Sequence, residues 1–369
     1  MRTKLDELNN FEIDYPLEKI APKDKILFVD IETTGFTAKS SKLYLIGVAY
    51  YDKCWTIKQW FASSPDDEKF ILEAFIDFSK GFTHLIHFNG NQFDIPYLKQ
   101  KSESYGLDFY PSQMEGIDLY RRTVPFKEIL FLNNCKQKTV ESFLGINRED
   151  VYGGGELIEV YLNYVENPTD YALELLMLHN HDDMKGMLSI LPILAYSDLY
   201  SQKYTAKKVQ ANSYTDMSGK KKRELVISFV LEQALPVSLK LMENLCFLQI
   251  EKNKGTLRVP LYCEELKYFY ANYKSYYYLP AEDQAIHKSI ASTVDKNYRE
   301  QAKASNCYTR KSGNFLPQMD IWFEPLFKRS YESDDLFFEL TEENKQNREL
   351  FSEYVSHMIE WLIDTKKKK

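Results

Sequence analysis

Residues 25–35, KILFVDIETTG, contain the stretch that decides the fold. Lys25 to Asp30 form a short apolar run that is typical of a buried strand. Asp30 and Glu32 stand two residues apart at its end, and because side chains alternate between the faces of a strand, both carboxylates are predicted on one face. Such a pair is costly unless a cation neutralises it, and carboxylate oxygens suit Mg²⁺ or Mn²⁺. The alternative is a pair of solvated acids at a strand end.

The residues that follow alternate between strand and helix patterns. Strands are predicted over residues 42–51, 54–61 and 83–88, and helices over 64–80, from 91, over 118–132 and over 167–191. The clearest helix start is Ser64-Pro65-Asp66-Asp67, with a capping residue, a proline at the first helical position and acids in the first turn. We therefore predict an α/β domain with a mixed sheet over residues 25–200.

A second motif lies where the strand over residues 83–88 ends. The segment 87–98, HFNGNQFDIPYL, turns through Asn-Gly and opens a helix, so that Asp94 projects from the first helical turn. Taken by itself, this motif predicts an ordinary acid that is stabilised by the dipole at a helix N-terminus.

A third motif, His179-Asn180-His181-Asp182-Asp183, lies in the long helix. His179 and Asp183 are four residues apart and therefore share one face of that helix. An imidazole one turn from a metal-binding carboxylate can orient and deprotonate a water molecule beside the ion. The alternative is a surface cluster of acids and histidines.

Together these three ordered motifs resemble the DEDD 3′→5′ exonuclease superfamily, whose members have the ribonuclease H-like fold. The resemblance covers residues 25–196 and is strongest in VDIETTGF and HFNGNQFDIPYL. The segments DLYRR (118–122) and LGINR (144–148) resemble the YprB-like branch of predicted bacterial nucleases. The resemblance implies a ribonuclease H-like mixed β-sheet flanked by helices, and a nuclease that hydrolyses single-stranded DNA or RNA from nucleic-acid 3′ ends.

Residue by residue, the resemblance implies a two-metal site. His179 would be the general base. Two Mg²⁺ or Mn²⁺ ions about 3.5–4 Å apart would be bound by four acids: Asp30, Glu32, Asp94 and Asp183. One branch of the superfamily has Tyr four residues before the last Asp, and the other has His five residues before it. Here a His stands at the four-residue spacing, which leaves His181 and Asp182 as alternatives to His179 and Asp183.

Substrate contacts are predicted around the first two motifs. By resemblance, four residues after the acid pair contact the terminal nucleotide: Thr33, Thr34, Gly35 and Phe36. Packing in the core is the alternative for Phe36. Asn89 is expected either to hydrogen-bond a substrate sugar or phosphate, or to cap the turn before the helix. Arg121 and Arg122 are expected either to neutralise phosphates or to form a solvated helix face.

The rest of the chain is divided by composition. Residues 1–24 are polar and are predicted to be an N-terminal arm, and the lysine-rich residues 201–223 are predicted to be a basic linker. Residues 224–369 are predicted to form a smaller α+β C-terminal domain of unknown role. In this domain the segments VISFVL, CFLQIE and GTLRVPLY predict strands, and Gly313 predicts a turn. Helices are predicted over residues 282–304 and 342–363.

The net charge of −7 hides a division. Residues 1–200 carry 20 Lys and Arg against 31 Asp and Glu, a net charge of −11, and residues 201–369 carry 27 against 23, a net charge of +4. Since phosphate backbones bind basic surfaces, the second half is expected to hold a nucleic-acid substrate while the acidic half holds metal. The aromatic run Tyr268–Tyr278 is interpreted either as core or as a platform on which single-stranded bases stack.

Cellular location and the wider function class are also limited by composition. The cysteines are scattered and form no CxxC pair, no apolar run reaches about 18–20 residues, and the sequence shows no signal-peptide pattern. These features predict a cytoplasmic protein without a membrane partner. Two alternatives to the nuclease are a non-catalytic module that binds nucleic acid or protein on the same fold, and a metal-dependent phosphatase or nucleotide hydrolase.

Overall fold

The computed structural model describes residues 1–147 and 154–367, so the end of the LGINR segment lies outside the described residues. The chain divides into two compact units, Met1–Ser197 and Asp198–Lys369. The strands described in the first unit are β1 (Arg2–Leu8), β2 (Ile26–Thr33), β3 (Leu43–Asp52), β4 (Cys54–Phe61), β5 (His84–His87) and β6 (Glu115–Asp118). Its described helices are α1 (Glu68–Ser79), α2 (Asp94–Ser104), α3 (Leu119–Thr123), α4 (Gln137–Phe143), α5 (Gly154–Glu166), α6 (Asp170–Ser189) and α7 (Leu194–Ser197).

The strands of the first unit form a six-stranded mixed sheet in the order β1-β4-β3-β2-β5-β6. The pairs from β1 to β2 are antiparallel, whereas β2-β5 and β5-β6 are parallel. The predicted mixed sheet flanked by helices is confirmed. Residues 26–29 of β2 are all buried, which explains their unbroken apolar run, because a central strand is covered on both faces.

The prediction of a free N-terminal arm over residues 1–24 is wrong for its first part. β1 pairs antiparallel with β4 along its whole length, from Arg2 opposite Phe61 to Leu8 opposite Trp55. It is an edge strand and most of its side chains are exposed. An exposed edge strand carries polar and charged residues, so its composition does not distinguish it from an arm.

The helix predicted over residues 118–132 is shorter than expected. α3 ends at Thr123, and the chain continues as a 3₁₀ turn over Val124–Phe126. Pro125 lies in that turn and cannot donate the hydrogen bond that would continue an α-helix. The sequence pattern also did not predict α4.

A buried ionic network ties α1 and α2 to the sheet. Glu68, at the start of α1, accepts hydrogen bonds from the Leu43 backbone amide at 2.7 Å and the Tyr105 hydroxyl at 2.6 Å, and pairs with the Lys101 ammonium at 2.7 Å. Burial would raise the pKa of Glu68, but the hydrogen bonds from Lys101 and Tyr105 outweigh it and lower that pKa below its usual range. The network fixes α2, the helix that begins at Asp94.

Replacing Glu68 with glutamine is expected to lower the free energy of unfolding by about 3–5 kcal/mol, because the buried Lys101 ammonium would lose its counter-charge. Chemical denaturation followed by circular dichroism measures this loss. Glu73→Gln on the same helix is the matched control, since Glu73 pairs with Lys69 at the surface and should change stability by only about 0.3–0.5 kcal/mol. Equal effects of the two variants would contradict the role of the network.

The second unit consists mostly of antiparallel sheets. Its described strands are β7 (Tyr204–Thr215), β8 (Lys221–Leu231), β9 (Leu239–Glu243), β10 (Cys246–Glu251), β11 (Lys254–Pro260), β12 (Tyr262–Phe269), β13 (Tyr276–Leu279), β14 (Gln284–His287), β15 (Glu300–Gln301), β16 (Tyr308–Gln318) and β17 (Leu336–Glu339). They form a five-stranded sheet, β7-β8-β11-β10-β9, and two three-stranded sheets, β12-β16-β17 and β14-β13-β15. The helix α8 (Arg348–Lys367) contacts β7, β8 and β9. The strands predicted from VISFVL, CFLQIE and GTLRVPLY are confirmed.

Residues 201–223 are not a linker. They contain β7 and the first part of β8, which pair antiparallel from Tyr204 opposite Leu231 to Thr215 opposite Lys221. Nearly every side chain of β7 beyond Ala206 is exposed, so β7 has no apolar alternation by which the sequence could reveal it.

Three further predictions in the second unit need correction. The stretch predicted as a helix over residues 282–304 contains β14 and β15, and Gly313 lies inside β16 rather than at a turn. The last helix begins at Arg348 rather than near residue 342. In the first two cases pairing with neighbouring strands, which the local pattern does not contain, overrides the local preference.

The aromatic run Tyr268–Tyr278 packs mainly against itself and its neighbours. Tyr270 stacks on Tyr276 with ring centroids 4.4 Å apart, and Tyr268 contacts Phe327. This arrangement fits the core interpretation better than an open stacking platform. Among the described residues, no helix is both long and apolar enough to cross a membrane.

Candidate active site

The paired acids Asp30 and Glu32 lie at the end of β2, where the sheet changes its pairing. β5 pairs with β2 over Ile26–Phe28, and within the described part of the chain no strand pairs with the following residues of β2 on that side. Asp30 accepts a hydrogen bond from Asn180 of α6 at 2.8 Å, and a Glu32 oxygen lies 3.6 Å from the ring of His179 on the same helix. Both side chains therefore meet α6, as the alternation of the strand predicts.

The helix α6 brings its histidine and its acid to the same place. His179 Nε2 lies 3.3 Å from Asp183 Oδ2 and 3.6 Å from Glu32 Oε1. One ligand atom from each of the three side chains lies within 4.8 Å of the others, a grouping that could hold a metal ion. His179 is buried, whereas the two acids are only partly buried. The i, i+4 spacing read from the sequence thus places an imidazole between two carboxylates.

Four carboxylates crowd around the end of β2. Burial holds the pKa of Asp30 well above its usual range, and the nearby charges of Asp183, Asp94 and Glu32 raise it further. The hydrogen bond from Asn180 opposes this shift without cancelling it. A bound cation would relieve repulsion of this kind.

Asp94 begins α2 and is buried beside the cluster. Burial raises the pKa of Asp94 to about 7, although hydrogen bonds from the backbone amides of Asp94 and Ile31 favour the charged form. The Ile31 amide belongs to the part of β2 that β5 leaves unpaired. The open strand edge therefore orients the carboxylate of the second motif.

The donor set fits a hard divalent cation. Carboxylate oxygens from three separate elements converge, one imidazole lies among them, and the unfavourable charge that they share is what a bound cation removes. Asp30, Glu32, Asp94 and Asp183 are the residues that would hold it.

The alternative residues of the third motif point elsewhere. His181 Nε2 lies 2.8 Å from Asp6 Oδ2 of β1, and its other ring nitrogen lies 3.6 Å from Asp182. This pair faces the edge strand, so the geometry favours His179 and Asp183 as members of the site. β1, which the sequence did not predict, provides the partner that occupies His181.

A buried amide relay behind the site was missed from the sequence. Asn180 is fully buried; its Nδ2 donates to Asp30, and its Oδ1 accepts from Gln59 Nε2 at 2.9 Å. Gln59 also donates to the Met177 carbonyl at 2.8 Å, so β4, α6 and β2 are connected through one chain of hydrogen bonds. The available signals were Asn180 directly after His179 and a lone glutamine in the apolar strand CWTIKQWF.

The relay needs a glycine opposite Asp30. Gly47 of β3 pairs with Asp30, and a Cβ atom there would lie 2.1 Å from Asn180 Oδ1. Gly47→Ala is therefore expected to destabilise the protein by about 1–3 kcal/mol by overpacking. Gly155→Ala, where an added Cβ meets nothing within 4 Å, is the control and should be neutral or mildly stabilising in the same thermal unfolding measurement. An unchanged Gly47→Ala protein would disprove the tight contact.

Asp118, at the end of β6, organises the turn before α2. Its carboxylate accepts hydrogen bonds from the backbone amides of Asn89 at 2.9 Å and Asn91 at 3.4 Å, and it caps α3 through Tyr120. Asn89 has a positive φ of 61°, a turn conformation that asparagine tolerates. The Asn89 backbone thus forms part of the turn. Its side-chain Oδ1 is buried without a hydrogen-bond partner among the described residues, so the substrate-contact and the capping interpretations both stay open.

The other predicted substrate residues lie on the surface near the first motif. Thr33, Thr34 and Gly35 form a partly buried turn, in which the Thr33 hydroxyl donates to the Gly35 carbonyl at 2.9 Å. Phe36 is 89% exposed, which rules out core packing, and its ring edge contacts Phe93, the residue before Asp94.

Arg121 and Arg122 are both exposed on α3. Arg121 Nε lies 4.0 Å from Asp118 Oδ2 and is 61% exposed. Neither arginine is among the side chains that the structure brings into the acid cluster. Both the phosphate-binding and the solvated-surface interpretations stay open for them.

Comparison with known protein families agrees with this geometry. A family model described as the RNase_H superfamily matches residues 27–195. This span runs from β2 into α7 and contains all five residues of the acid and histidine cluster. The ribonuclease H-like fold implied by the sequence resemblance is confirmed for this segment. Among curated proteins, no significant relative is found.

Two of the solved structures that match this chain are distant likenesses. The family B DNA polymerase from the hyperthermophilic archaeon Pyrobaculum calidifontis is 19% identical, with a TM-score of 0.38 over 48% of this chain and 25% of the polymerase chain. The zinc-bound complex of E. coli ExoI with single-stranded DNA is 13% identical, with a TM-score of 0.28 over 57% of this chain and 55% of that chain. The chain thus spans about a quarter of the first structure and just over half of the second. No functional conclusion rests on likenesses of this size.

Proposed function

We propose that this chain is a divalent-metal-dependent nuclease that hydrolyses phosphodiester bonds. Its residues 27–195 match the family model of the RNase_H superfamily. The observation that carries the proposal is the cluster at the end of β2. There His179 lies 3.3 Å from Asp183 and 3.6 Å from Glu32, beside the buried and mutually repelling Asp30 and Asp94. A protein that only bound nucleic acid would have no need to crowd acids in this way.

In the proposed reaction the acids bind and orient, and the histidine moves a proton. Asp30, Glu32, Asp94 and Asp183 would hold Mg²⁺ or Mn²⁺, which supplies positive charge for the phosphate and lowers the pKa of water. His179 Nε2 is placed to accept a proton from the attacking water, while Asp183 and Glu32 stabilise the charged imidazole that results. Asn180 holds the Asp30 carboxylate in place.

The finer assignment is a two-metal 3′→5′ exonuclease of the DEDD type acting on single-stranded DNA or RNA. Its support is the order of the three motifs and the exposed Phe36 ring, which contacts Phe93 next to Asp94 and offers a surface to a terminal base. The number of metal ions, the YprB-like branch and the cytoplasmic location remain predictions.

A panel of end-labelled oligonucleotides tests the proposal. Single- and double-stranded DNA and RNA, labelled at either end, are incubated with the full chain in Mg²⁺, in Mn²⁺ or in EDTA. Stepwise shortening from the 3′ end of single strands in metal, and none in EDTA, is expected. Binding without cleavage would favour the non-catalytic module, and release of phosphate from small esters alone would favour a phosphatase; either result would overturn the proposal.

A further inference from the structure

The five-stranded sheet of the second unit has two unlike faces. Alternate residues of its central strands are buried, as with Leu225, Ile227 and Phe229 of β8 and Leu248 and Ile250 of β10. The residues between them point to the opposite side and are partly or fully exposed, apart from the nearly buried Val226. We call this side the open face of the sheet.

The strand register shows which side chains share the open face. Paired residues form rows that cross all five strands, with one residue from each strand. One row is Lys208, Ser228, Thr256, Gln249 and Lys240. The next row is Gln210, Val226, Arg258, Phe247 and Met242. At the usual strand spacing of about 4.8 Å, Lys208 and Lys240 stand about 19 Å apart at the two ends of their row. The face is therefore long enough for several nucleotides of an extended strand.

The open face has a basic excess within an acidic protein. The same register adds Lys222 and Lys254 to it, together with the acids Glu224 and Glu251. Five basic side chains thus stand against two acidic ones, while the whole chain carries a net charge of −7. Lys208, Lys222, Lys240, Lys254 and Arg258 are all exposed. This charge pattern complements a phosphate backbone.

A shallow groove with an aromatic wall lies on this face. Its volume is about 550 Å³, and Phe247, Lys254, Thr256 and Arg258 are among its lining residues. The Arg258 guanidinium carbon lies 6.0 Å from the centre of the Phe247 ring. A ring and a guanidinium side by side are the groups on which unpaired bases stack.

We propose that the open face binds single-stranded nucleic acid, with the lysines on phosphates and Phe247 and Arg258 on bases. The inference deepens the proposed function, since it names where the substrate strand is held outside the acid cluster. A single strand is favoured because bases inside a duplex cannot present their faces to a ring on a sheet. Within the run Tyr268–Tyr278, which the sequence offered for stacking, Tyr270 already stacks on Tyr276.

A binding measurement tests this site. Labelled short oligothymidylate and oligouridylate are titrated with the full chain in EDTA, and fluorescence anisotropy is recorded over a range of salt concentrations. The double variant Lys240→Glu/Lys254→Glu is expected to weaken binding at least tenfold and to reduce the slope of log K against log salt by about 1.4, the value for two lost phosphate contacts on a single strand. Phe247→Ala is expected to weaken binding about tenfold with little change in that slope.

The matched control is Lys296→Glu/Lys345→Glu, which makes the same charge change at exposed positions of the second unit outside the five-stranded sheet. It should bind like wild type, and all variants should keep the wild-type unfolding midpoint. Equal binding by the Lys240/Lys254 and control variants overturns the inference. Equal affinity for a duplex or for a polyglutamate peptide of the same charge also overturns it.

The two proposals fail in different ways. Because binding is measured in EDTA, it does not depend on hydrolysis. Suppose that the wild-type protein does not cleave, and that the Lys240→Glu/Lys254→Glu variant loses oligonucleotide binding. This result would refute the proposed nuclease function and support nucleic-acid binding on the open face. A chain that cleaves with unaltered binding in that variant would refute only the open face.

Discussion

Replacing Asp30 by asparagine is expected to reduce phosphodiester hydrolysis to background and, at the same time, to make the metal-free protein more stable. Activity is lost because the central carboxylate of the proposed metal site is removed. Stability rises because Asp30 is buried among Asp183, Asp94 and Glu32, and its charge is unfavourable there without a cation. If the Asp30→Asn variant gains stability and loses activity, the Asp30 carboxylate serves function at the expense of stability.

The pH dependence of the metal-free protein follows from the same cluster. The folded-state pKa values of Asp30 and Asp94 are raised, so the folded protein binds protons more tightly than the unfolded chain. Stability should therefore fall as pH rises from the ordinary aspartate pKa of about 4 towards the Asp94 value of about 7. Asp30→Asn should flatten this fall.

Thermal unfolding in EDTA between pH 4 and pH 8, together with the oligonucleotide assay in Mn²⁺, measures both effects. Asp77→Asn is the control, because Asp77 is 75% exposed on α1 and pairs only with Lys80 among the described contacts, so its loss should affect neither activity nor the pH profile. Full activity in Asp30→Asn would contradict the metal-site assignment. An unfolding midpoint of Asp30→Asn below that of wild type would contradict the repulsion among the acids.

Replacing His179 by alanine is expected to lower kcat by about 10²–10⁴-fold, the usual contribution of a general base. The geometry also permits a competing role, because His179 Nε2 lies close enough to Glu32 and Asp183 to ligate a metal itself. The general-base role predicts lost turnover with nearly unchanged Mn²⁺ affinity, whereas a ligand role predicts that affinity falls as well.

Isothermal titration of Mn²⁺ into wild type and His179→Ala, beside steady-state kinetics, separates the two roles. His181→Ala is the matched control on the same helix, since His181 is engaged by Asp6 and should keep near wild-type kcat. Normal turnover in His179→Ala would contradict both roles, and a large loss of turnover in His181→Ala would show that His181 takes part in the reaction.

Much of the first unit could be predicted because its signals are local. An apolar run ending in Asp30 and Glu32, a turn leading into Asp94 and an i, i+4 pair at His179 and Asp183 each follow from strand or helix periodicity. The choice between His179 and His181 could not be made in this way. It depends on Asp6 of the unpredicted edge strand, which is more than a hundred residues away in sequence.

The hairpin of β7 and β8 shows why other elements were missed. The lysines of residues 201–223 led to a linker prediction because β7 beyond Ala206 and the first part of β8 are mostly exposed and show no apolar alternation. Their pairing is visible only as contacts between strands. The same contacts place Lys208, Lys240 and Arg258 on one face, although they come from three separate strands.

The sequence by itself determined the class of the first unit and predicted which of its acids form the site, because residue type and short-range spacing are local properties of the chain. Only the tertiary structure decided how those acids are held and charged. The link from Gln59 through Asn180 to Asp30, the glycine that makes room for it and the raised pKa of Asp94 all arise between segments that are distant in sequence. Burial and repulsion are properties of neighbours in space, and no local pattern contains them.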